Sequence, residues 1–237
     1  MNPRHISSSS EAHKLIQSIN PSHVKVGAFD IDGILRGKYM SKDKFLSALD
    51  SGFGFCDVVL GWDMKDQLYD NVQYTGWHTG YPDAQAEIVV DSCRTMPMEN
   101  DDLFFLAQFA GDAEAICPRG VLRRVLKQAK DMGFDAFAGF EYEFFVFDET
   151  PHSIREKNYQ NLTPTAPGEF GYSVIRNSVQ DETYRSLLKL GEVMDFPIEG
   201  LHEETGPGVM EAAIAYDSAL ASADKTRKNG HLHGSLE

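Results

Sequence analysis

The sequence predicts an α+β protein, and three features of its 237 residues indicate this class. Short runs of aromatic and β-branched residues, separated by Gly, Pro and Asp, are typical of strands. Amphipathic stretches with recognisable start and stop signals stand between these runs and predict helices. There is no internal repeat and no regular strand–helix alternation, so the pattern does not favour a parallel sheet.

The first part of the chain predicts a short lead-in and a small domain. Residues 1–22 are polar and Ser-rich, so we expect a flexible segment with one short helix at residues 11–17. Residues 23–111 form the predicted domain, with a helix at residues 41–49 whose apolar side chains share one face. Its predicted strands cover residues 23–34, 34–40, 86–90 and 103–109, the first two around an Asp-Gly turn.

A long loop rich in Gly and aromatic residues separates those strands. It spans residues 53–83 and contains Trp62, Asp63, Trp77 and Asp83. It is too polar to form core and too aromatic to be a linker, and such loops usually function at a surface.

The second part, residues 112–226, predicts another domain that is followed by a tail at residues 227–237. Its predicted helices cover residues 117–130 and 181–194, and its predicted strands cover residues 137–147, 196–201 and 209–216. Residues 149–171 are rich in Pro, Asn and Thr and predict a loop.

The net charge and the cysteine content indicate which partners and which cellular compartment to expect. The net charge is −14, from 36 acidic and 22 basic residues, and no basic patch is visible. Nucleic acid and anionic membrane surfaces are therefore not expected partners. Cys56, Cys93 and Cys117 are widely separated, which favours a reducing compartment over disulfides or a zinc site. The N-terminus has no apolar core of signal length and no apolar run reaches about 18 residues, so we expect a cytosolic, soluble protein.

Two carboxylates stand on one face of the strand at residues 137–147. Side chains alternate along a strand, so Glu141 and Glu143 project to the same side. The flanking aromatic residues predict a strand buried on both faces. Two carboxylates in that setting need a proton, a basic side chain or a metal cation. The alternative is an edge strand whose wet face carries both acids.

A second pair of carboxylates flanks a Gly-Pro-Gly turn. The turn predicts antiparallel strands that bring Glu203 and Glu211 toward one another. With Glu141 and Glu143, four carboxylates then converge, and such oxygen-rich clusters suit Mg²⁺ or Mn²⁺.

These motifs resemble the metal-binding motifs of glutamine synthetases and their γ-glutamyl ligase relatives. The resemblance rests on FEYEFF at residues 140–145 and on Glu211, eight residues after Glu203, and it extends over most of residues 23–226. It implies an N-terminal β-grasp-like domain followed by part of a catalytic antiparallel half-barrel with flanking helices. It also implies a homo-oligomeric ring in which the N-terminal domain of one subunit completes the active site of its neighbour.

The resemblance assigns roles residue by residue. Glu143, Glu203 and Glu211 become ligands of one metal, and Glu141 helps to hold a second metal on the ATP phosphates. Asp63 and Asp83 become the catalytic contribution of the N-terminal domain. The implied reaction phosphorylates the γ-carboxylate of glutamate or a similar substrate with ATP, and ammonia or an amine then displaces phosphate. The aromatic loop departs from the common pattern, so an alkylamine or polyamine acceptor stands beside ammonia.

The tail departs from the family. Residues 229–236 follow almost directly on residue 226 and resemble a later His-x-His segment, which makes His231 the second-metal histidine. The chain thus reads as internally shortened, and we expect it to lack the phosphate-binding arginines of the family. One alternative is therefore a non-catalytic relative or an inactive product with a structural role.

A further alternative comes from residues 29–35, which resemble the nucleophile loop of haloacid-dehalogenase-type phosphatases. There Asp30 and Asp32 would supply the nucleophile and the acid, with Mg²⁺ bound beside them. Turn formation is the competing role for both aspartates.

Overall fold

A computed structural model describes residues 2–225, and it has the predicted mixture of helices and strands. The chain divides into two compact units, the first ending at Ala136 and the second beginning at Phe137. Helix Pro118–Asp131 belongs to the first unit, and the domain boundary expected after residue 111 stays a prediction.

The first unit is built on a six-stranded sheet. Its strands are β1 (His23–Phe29), β2 (Leu35–Ser41), β3 (Phe53–Cys56), β4 (Asp83–Ile88), β5 (Arg94–Met96) and β6 (Asp102–Phe109). The strand order is β2-β1-β6-β4-β3, with β5 also paired to β6. Strands β1 and β6 are parallel, and all other pairs are antiparallel. The predicted strand pair and its turn are confirmed; the β-grasp description stays a prediction.

Two helices pack against this sheet and contribute side chains to the hydrophobic core of the unit. Helix α1 (Ser9–Ile19) is capped by Ser8, whose side chain accepts a hydrogen bond from the Glu11 N–H. Helix α2 (Lys42–Ser51) buries Phe45, whose ring centroid lies 4.8 Å from that of Phe105 on β6.

Helix α1 packs into the core, although residues 1–22 were expected to form a flexible lead-in. Leu15 and Ile16 are 2% and 0% exposed and belong to the same core cluster as Phe45. The helix packs into the core despite its polar composition, because burying each of these two apolar side chains contributes about 1.5–3 kcal/mol to the stability of the fold.

The first unit ends with helix α3 (Pro118–Asp131), which begins at the predicted proline. Its apolar side chains are not fully covered: Val121 is 40% and Val125 is 54% exposed. Four short 3₁₀ turns complete the described elements: Pro3–His5, Asp57–Leu60, Val90–Ser92 and Gly111–Ala115.

The second unit is a three-stranded antiparallel sheet with helices on one side. Its strands are β7 (Phe137–Phe145), β8 (Ile198–Glu203) and β9 (Val209–Ser218), in the order β7-β9-β8. Its helices include α4 (Pro151–Glu156), α5 (Val174–Val179) and α6 (Asp181–Met194), and a further helical run covers residues 219–225. Tyr184 and Leu187 on α6 pack on Met210 of β9, with Phe144 and Leu201 beside them. The two strands and the helix predicted after residue 181 are therefore confirmed.

The other face of this sheet is open, which corrects the prediction that β7 is buried on both faces. Phe145 is 62% exposed and Phe137 is 65% exposed. The aromatic content of β7 indicated burial, but within the described residues helices cover only the Phe144 side.

No helix in residues 2–225 combines the length and apolar character that a bilayer span requires.

Candidate functional site

The candidate site is a row of side chains across the open face of the second sheet. Glu143 on β7 stands directly opposite Glu211 on β9, and Glu211 stands directly opposite His202 on β8. Residues opposite each other in an antiparallel pair project to the same face. The Nε2 atom of His202 lies 3.4 Å from Oε1 of Glu211. The open face thus carries two carboxylates and an imidazole in one line, and Glu143 is exposed.

Tyr172 extends this row from the loop before α5. Its ring centroid lies 4.5 Å from that of His202, with the planes tilted by 32°. A hydrogen bond to Glu204 raises the pKa of Tyr172 above its usual range, and the charges of Glu211 and Glu143 act in the same direction. The phenol therefore lies in a region of negative potential that a cation would neutralise.

Glu203 lies on the opposite, helix-covered face. Its cross-strand partner is Met210, a core residue, and it is only 3% exposed. Burial raises its pKa, although the nearby positive charge of Arg176 opposes that effect. Its Oε1 atom is buried and accepts no hydrogen bond. Burial together with the charge of Glu203 raises the pKa of Tyr184 on α6 to about 12.

The position of Glu203 differs from the expected convergence with Glu211. The Gly-Pro-Gly turn does join antiparallel strands, and Gly206 and Gly208 take the positive φ values of 138° and 70° that favour glycine. The register pairs Glu211 with His202 rather than with Glu203. A difference of one residue places a side chain on the other face of a sheet.

The four carboxylates predicted to bind a metal therefore stay a prediction, and the structure places them on two different faces of the sheet. Glu141 shares the open face with Glu143, because the two are separated by one residue and oppose Ala213 and Glu211. In residues 2–225, however, no three His, Cys, Asp or Glu side chains lie close enough together to hold a metal ion. The open face supplies ligands of the right chemistry, and Glu203 does not join them in this arrangement.

Asp63 and Asp83 lie in the first unit, in different surroundings. The Asp63 carboxylate accepts hydrogen bonds from the N–H groups of Lys65 (2.8 Å) and Gln67 (2.9 Å). The Gln67 bond is the main cause of the lowered pKa of Asp63. Asp83 is exposed at the start of β4, opposite Cys56. Asp63 therefore stabilises a local turn, and His231 lies outside the described residues.

The aspartates of the phosphatase alternative have structural partners. Asp30 is fully buried, and its carboxylate accepts hydrogen bonds from the Ile34 N–H (2.7 Å) and from Nε of Arg36 (2.8 Å). Asp32 accepts a bond of 2.8 Å from the Met64 N–H. Both carboxylates hold turns together, which agrees with the competing role.

Sequence reasoning missed Tyr172, Glu204 and Arg176 as members of this region. Tyr172 and Arg176 belong to a loop and a short helix that carry no motif, and only the fold brings them to β8. Glu204 could have been proposed from the sequence, since it is the third acidic or imidazole residue in the run His202–Glu204.

The chain is similar to several known proteins. The family model described as the glutamine synthetase catalytic domain matches residues 115–229. Type-1 glutamine synthetase 2 of Dictyostelium discoideum is 47% identical over 205 residues, covering 85% of this chain and 39% of that protein. Glutamate–isopropylamine ligase of a Pseudomonas species is 29% identical over 214 residues, covering 88% and 46%.

Solved structures show the same fold. A GmaS–ADP complex superposes with a TM-score of 0.74 at 15% identity, covering 94% of this chain and 48% of that one. A glutamine synthetase of Plasmodium falciparum gives 0.73 at 15% identity, covering 98% and 49%. These likenesses define the class: an α+β unit followed by part of a catalytic half-barrel of the glutamine synthetase type.

The chain belongs to the glutamine synthetase family, which includes γ-glutamyl amine ligases. It spans less than half of the length of each of these relatives.

Proposed function

We propose that the protein acts in the ATP-dependent joining of a carboxylate to ammonia or an amine. The observation that supports this proposal is the pairing of Glu143 with Glu211 on the open face of the second sheet. The chain that forms this sheet belongs to a family of ligases. The named activities of its relatives agree, since they include glutamine synthetase, glutamate–isopropylamine ligase and γ-glutamylethanolamide synthetase.

In the proposed reaction, a carboxylate oxygen of glutamate or a similar acid attacks the γ-phosphorus of ATP, and ADP leaves. The amine nitrogen then attacks the carbonyl carbon of the acyl phosphate, phosphate leaves and the nitrogen loses a proton. The relative solved with ADP supports a nucleotide substrate. The two amine-named ligases support an organic amine as an acceptor beside ammonia.

The proposal includes Mg²⁺ or Mn²⁺, because exposed carboxylates on one sheet face are hard oxygen ligands. Glu143 and Glu211 would hold the ion, with Glu141 on the same face. A bound divalent ion would neutralise charge on the phosphoryl group. His202 orients Glu211, and Tyr172 covers the imidazole. Glu203, Asp63, Asp83 and His231 remain proposed site residues, and for Glu203 this requires the side chain to leave the helix-covered face.

A homo-oligomeric ring and a cytosolic location complete the proposal. The first rests on the family resemblance. The second is supported by the wide separation of Cys56, Cys93 and Cys117 in the sequence, which favours a reducing compartment.

The direct test measures formation of ADP and of the amide product with glutamate, ATP, Mg²⁺ and either ammonia or isopropylamine. We expect turnover that is lost in Glu143→Gln and kept in Glu182→Gln, an exposed acid on α6 that serves as the matched control. Turnover that is equal in the two variants would contradict the proposed site.

One observation favours a second candidate, a non-catalytic member of the family. Glu203 faces the helices, and no group of three metal-ligating side chains forms within residues 2–225. Absence of amide formation in a folded chain that still binds nucleotide or metal would support this candidate instead.

A further inference from the structure

Arg176, on α5, carries a guanidinium whose hydrogen-bond donors are unused in the described part of the chain. Within residues 2–225 this group forms no hydrogen bond and no ion pair, and its Cζ atom lies 3.9 Å from the centroid of the Phe170 ring. The side chain is half-buried, so part of it is accessible to solvent. Arg185 on α6, by contrast, is paired with Asp181. Arg176 is therefore held by an aromatic ring, and its donors stay available for a ligand.

Two hydrogen bonds fix the segment that carries Arg176 beside the candidate site. The Tyr172 N–H donates to the carbonyl oxygen of Glu203 over 2.8 Å, which attaches the segment to β8. The Tyr184 hydroxyl donates to Oδ1 of Asn177 over 3.1 Å, which attaches α5 to α6. Arg176 follows Tyr172 by four residues, and four residues span at most about 14 Å. Because Tyr172 extends the row of side chains on the open face, a small molecule bound at that row lies within reach of the guanidinium.

The positive charge of Arg176 is not cancelled by a direct contact with an acid of the described residues. Burial raises the pKa of Glu203 and the charge of Arg176 opposes that effect, so the two side chains are neighbours. They form no ion pair, and Oε1 of Glu203 accepts no hydrogen bond. A guanidinium presents a planar set of donors that matches both oxygens of a carboxylate. The acid group of a ligand can therefore take the position that the carboxylate of Glu203 leaves open.

We propose that Arg176 binds a carboxylate of the acid substrate, namely the carboxylate that is not converted to the amide. This inference rests on the proposed ligase function and adds a substrate-binding residue that is separate from the acids of the metal site. The guanidinium donates two hydrogen bonds to the carboxylate oxygens, and the Phe170 ring stabilises its position. The protein therefore selects acids with a second carboxylate, such as glutamate, over monocarboxylates of similar length.

The test measures binding to the full chain by calorimetry without ATP, so that the result does not depend on turnover. The probes are glutamate and 4-aminobutanoate, which is glutamate without its α-carboxylate. We expect glutamate to bind more tightly by about tenfold or more, because hydrogen bonds between two charged groups are the stronger ones. Equal affinity for the two acids, or binding of neither, would overturn the proposal.

Variants of Arg176 locate the contact. Arg176→Gln should reduce the affinity for glutamate to that for 4-aminobutanoate and leave the affinity for 4-aminobutanoate unchanged. Arg176→Lys keeps the charge without the planar set of donors, so it should recover part of the loss. Arg185→Gln, which removes the paired guanidinium on α6, is the matched control and should bind both acids as the parent does. Circular dichroism melts show that each variant is folded.

Inorganic phosphate distinguishes a second source of anions, the phosphates of the nucleotide. If Arg176→Gln weakened phosphate binding and left glutamate binding unchanged, the proposal would be overturned in favour of a nucleotide contact. Amide formation is measured separately, so the two proposals can fail independently. Turnover that depends on Glu143, together with unchanged glutamate binding in Arg176→Gln, would contradict only this inference. Selective glutamate binding through Arg176 without turnover would contradict only the ligase function.

Discussion

His202 and Glu211 face each other across neighbouring strands, with Nε2 of the imidazole 3.4 Å from Oε1 of the carboxylate. The contact places Glu211 on the open face of the sheet beside Glu143. It also explains why Glu203, the next residue along β8, faces the helices instead.

Replacing Glu211 by Gln should weaken Mn²⁺ binding by about tenfold or more, because one charged oxygen ligand is lost. The side chain lies outside the core, so melting should change little. Calorimetry with Mn²⁺ measures the effect, and Glu182→Gln is the control. Unchanged affinity in Glu211→Gln would remove this residue from the metal site.

His202→Phe should keep the ring contact with Tyr172 but remove the nitrogen that faces Glu211. We expect Mn²⁺ affinity to fall by about tenfold, as for other residues that orient a ligand. Tyr172→Phe, which retains the stack and the imidazole, should have a smaller effect. Equal losses in both variants would contradict a specific role for the imidazole nitrogen.

Asp30→Ala should strongly destabilise the first unit. The carboxylate is fully buried and paired with Arg36, and removing one partner of a buried ion pair costs about 3–5 kcal/mol. Denaturant unfolding measures this change, and Asp32→Ala, which changes a more exposed neighbour, should cost less. A stable Asp30→Ala protein would contradict the structural role and reopen a chemical one.

Glu149 should make the second unit sensitive to acid. Its side chain is 2% exposed and is bonded by Lys157, Ser153 and the Thr163 N–H, with Lys157 the largest cause of a pKa of about 2. A lowered pKa in the folded state stabilises the fold above the unfolded value of 4.5, and this stability is lost as the pH falls toward about 2.

Glu149→Gln should therefore melt at a lower temperature than the parent at pH 7, and the difference should shrink between pH 4.5 and pH 2. Circular dichroism melts at several pH values test this. A difference that is independent of pH would show that shape rather than charge is responsible.

Phe145→Ser should reduce self-association. Phe145 is 62% exposed and stacks on Phe147, with ring centroids 6.0 Å apart, on an open sheet face. Exposed apolar clusters promote association. Sedimentation should show a smaller apparent mass for the variant at the same concentration. Leu188→Ser, at a 42% exposed position on α6, is the control, and equal effects would argue against the sheet face.

Local pattern was sufficient for most elements of the fold. The proline at residue 118, the apolar stripe of α6 and the alternation around Glu143 each depend on neighbours within a few residues, and all three elements form where expected. The burial of helix α1 was harder to predict, because Leu15 and Ile16 pack against side chains that are distant in the sequence.

The sequence by itself determined the family, most of the strands and the longer helices, and the acids proposed for a cation-binding site. Only the tertiary structure decided which of those acids share a face: the register of β8 against β9 pairs His202 with Glu211 and places Glu203 among core residues. The physical reason is that strand register depends on the whole sheet and its helices, and a difference of one residue exchanges the exposed and buried sides.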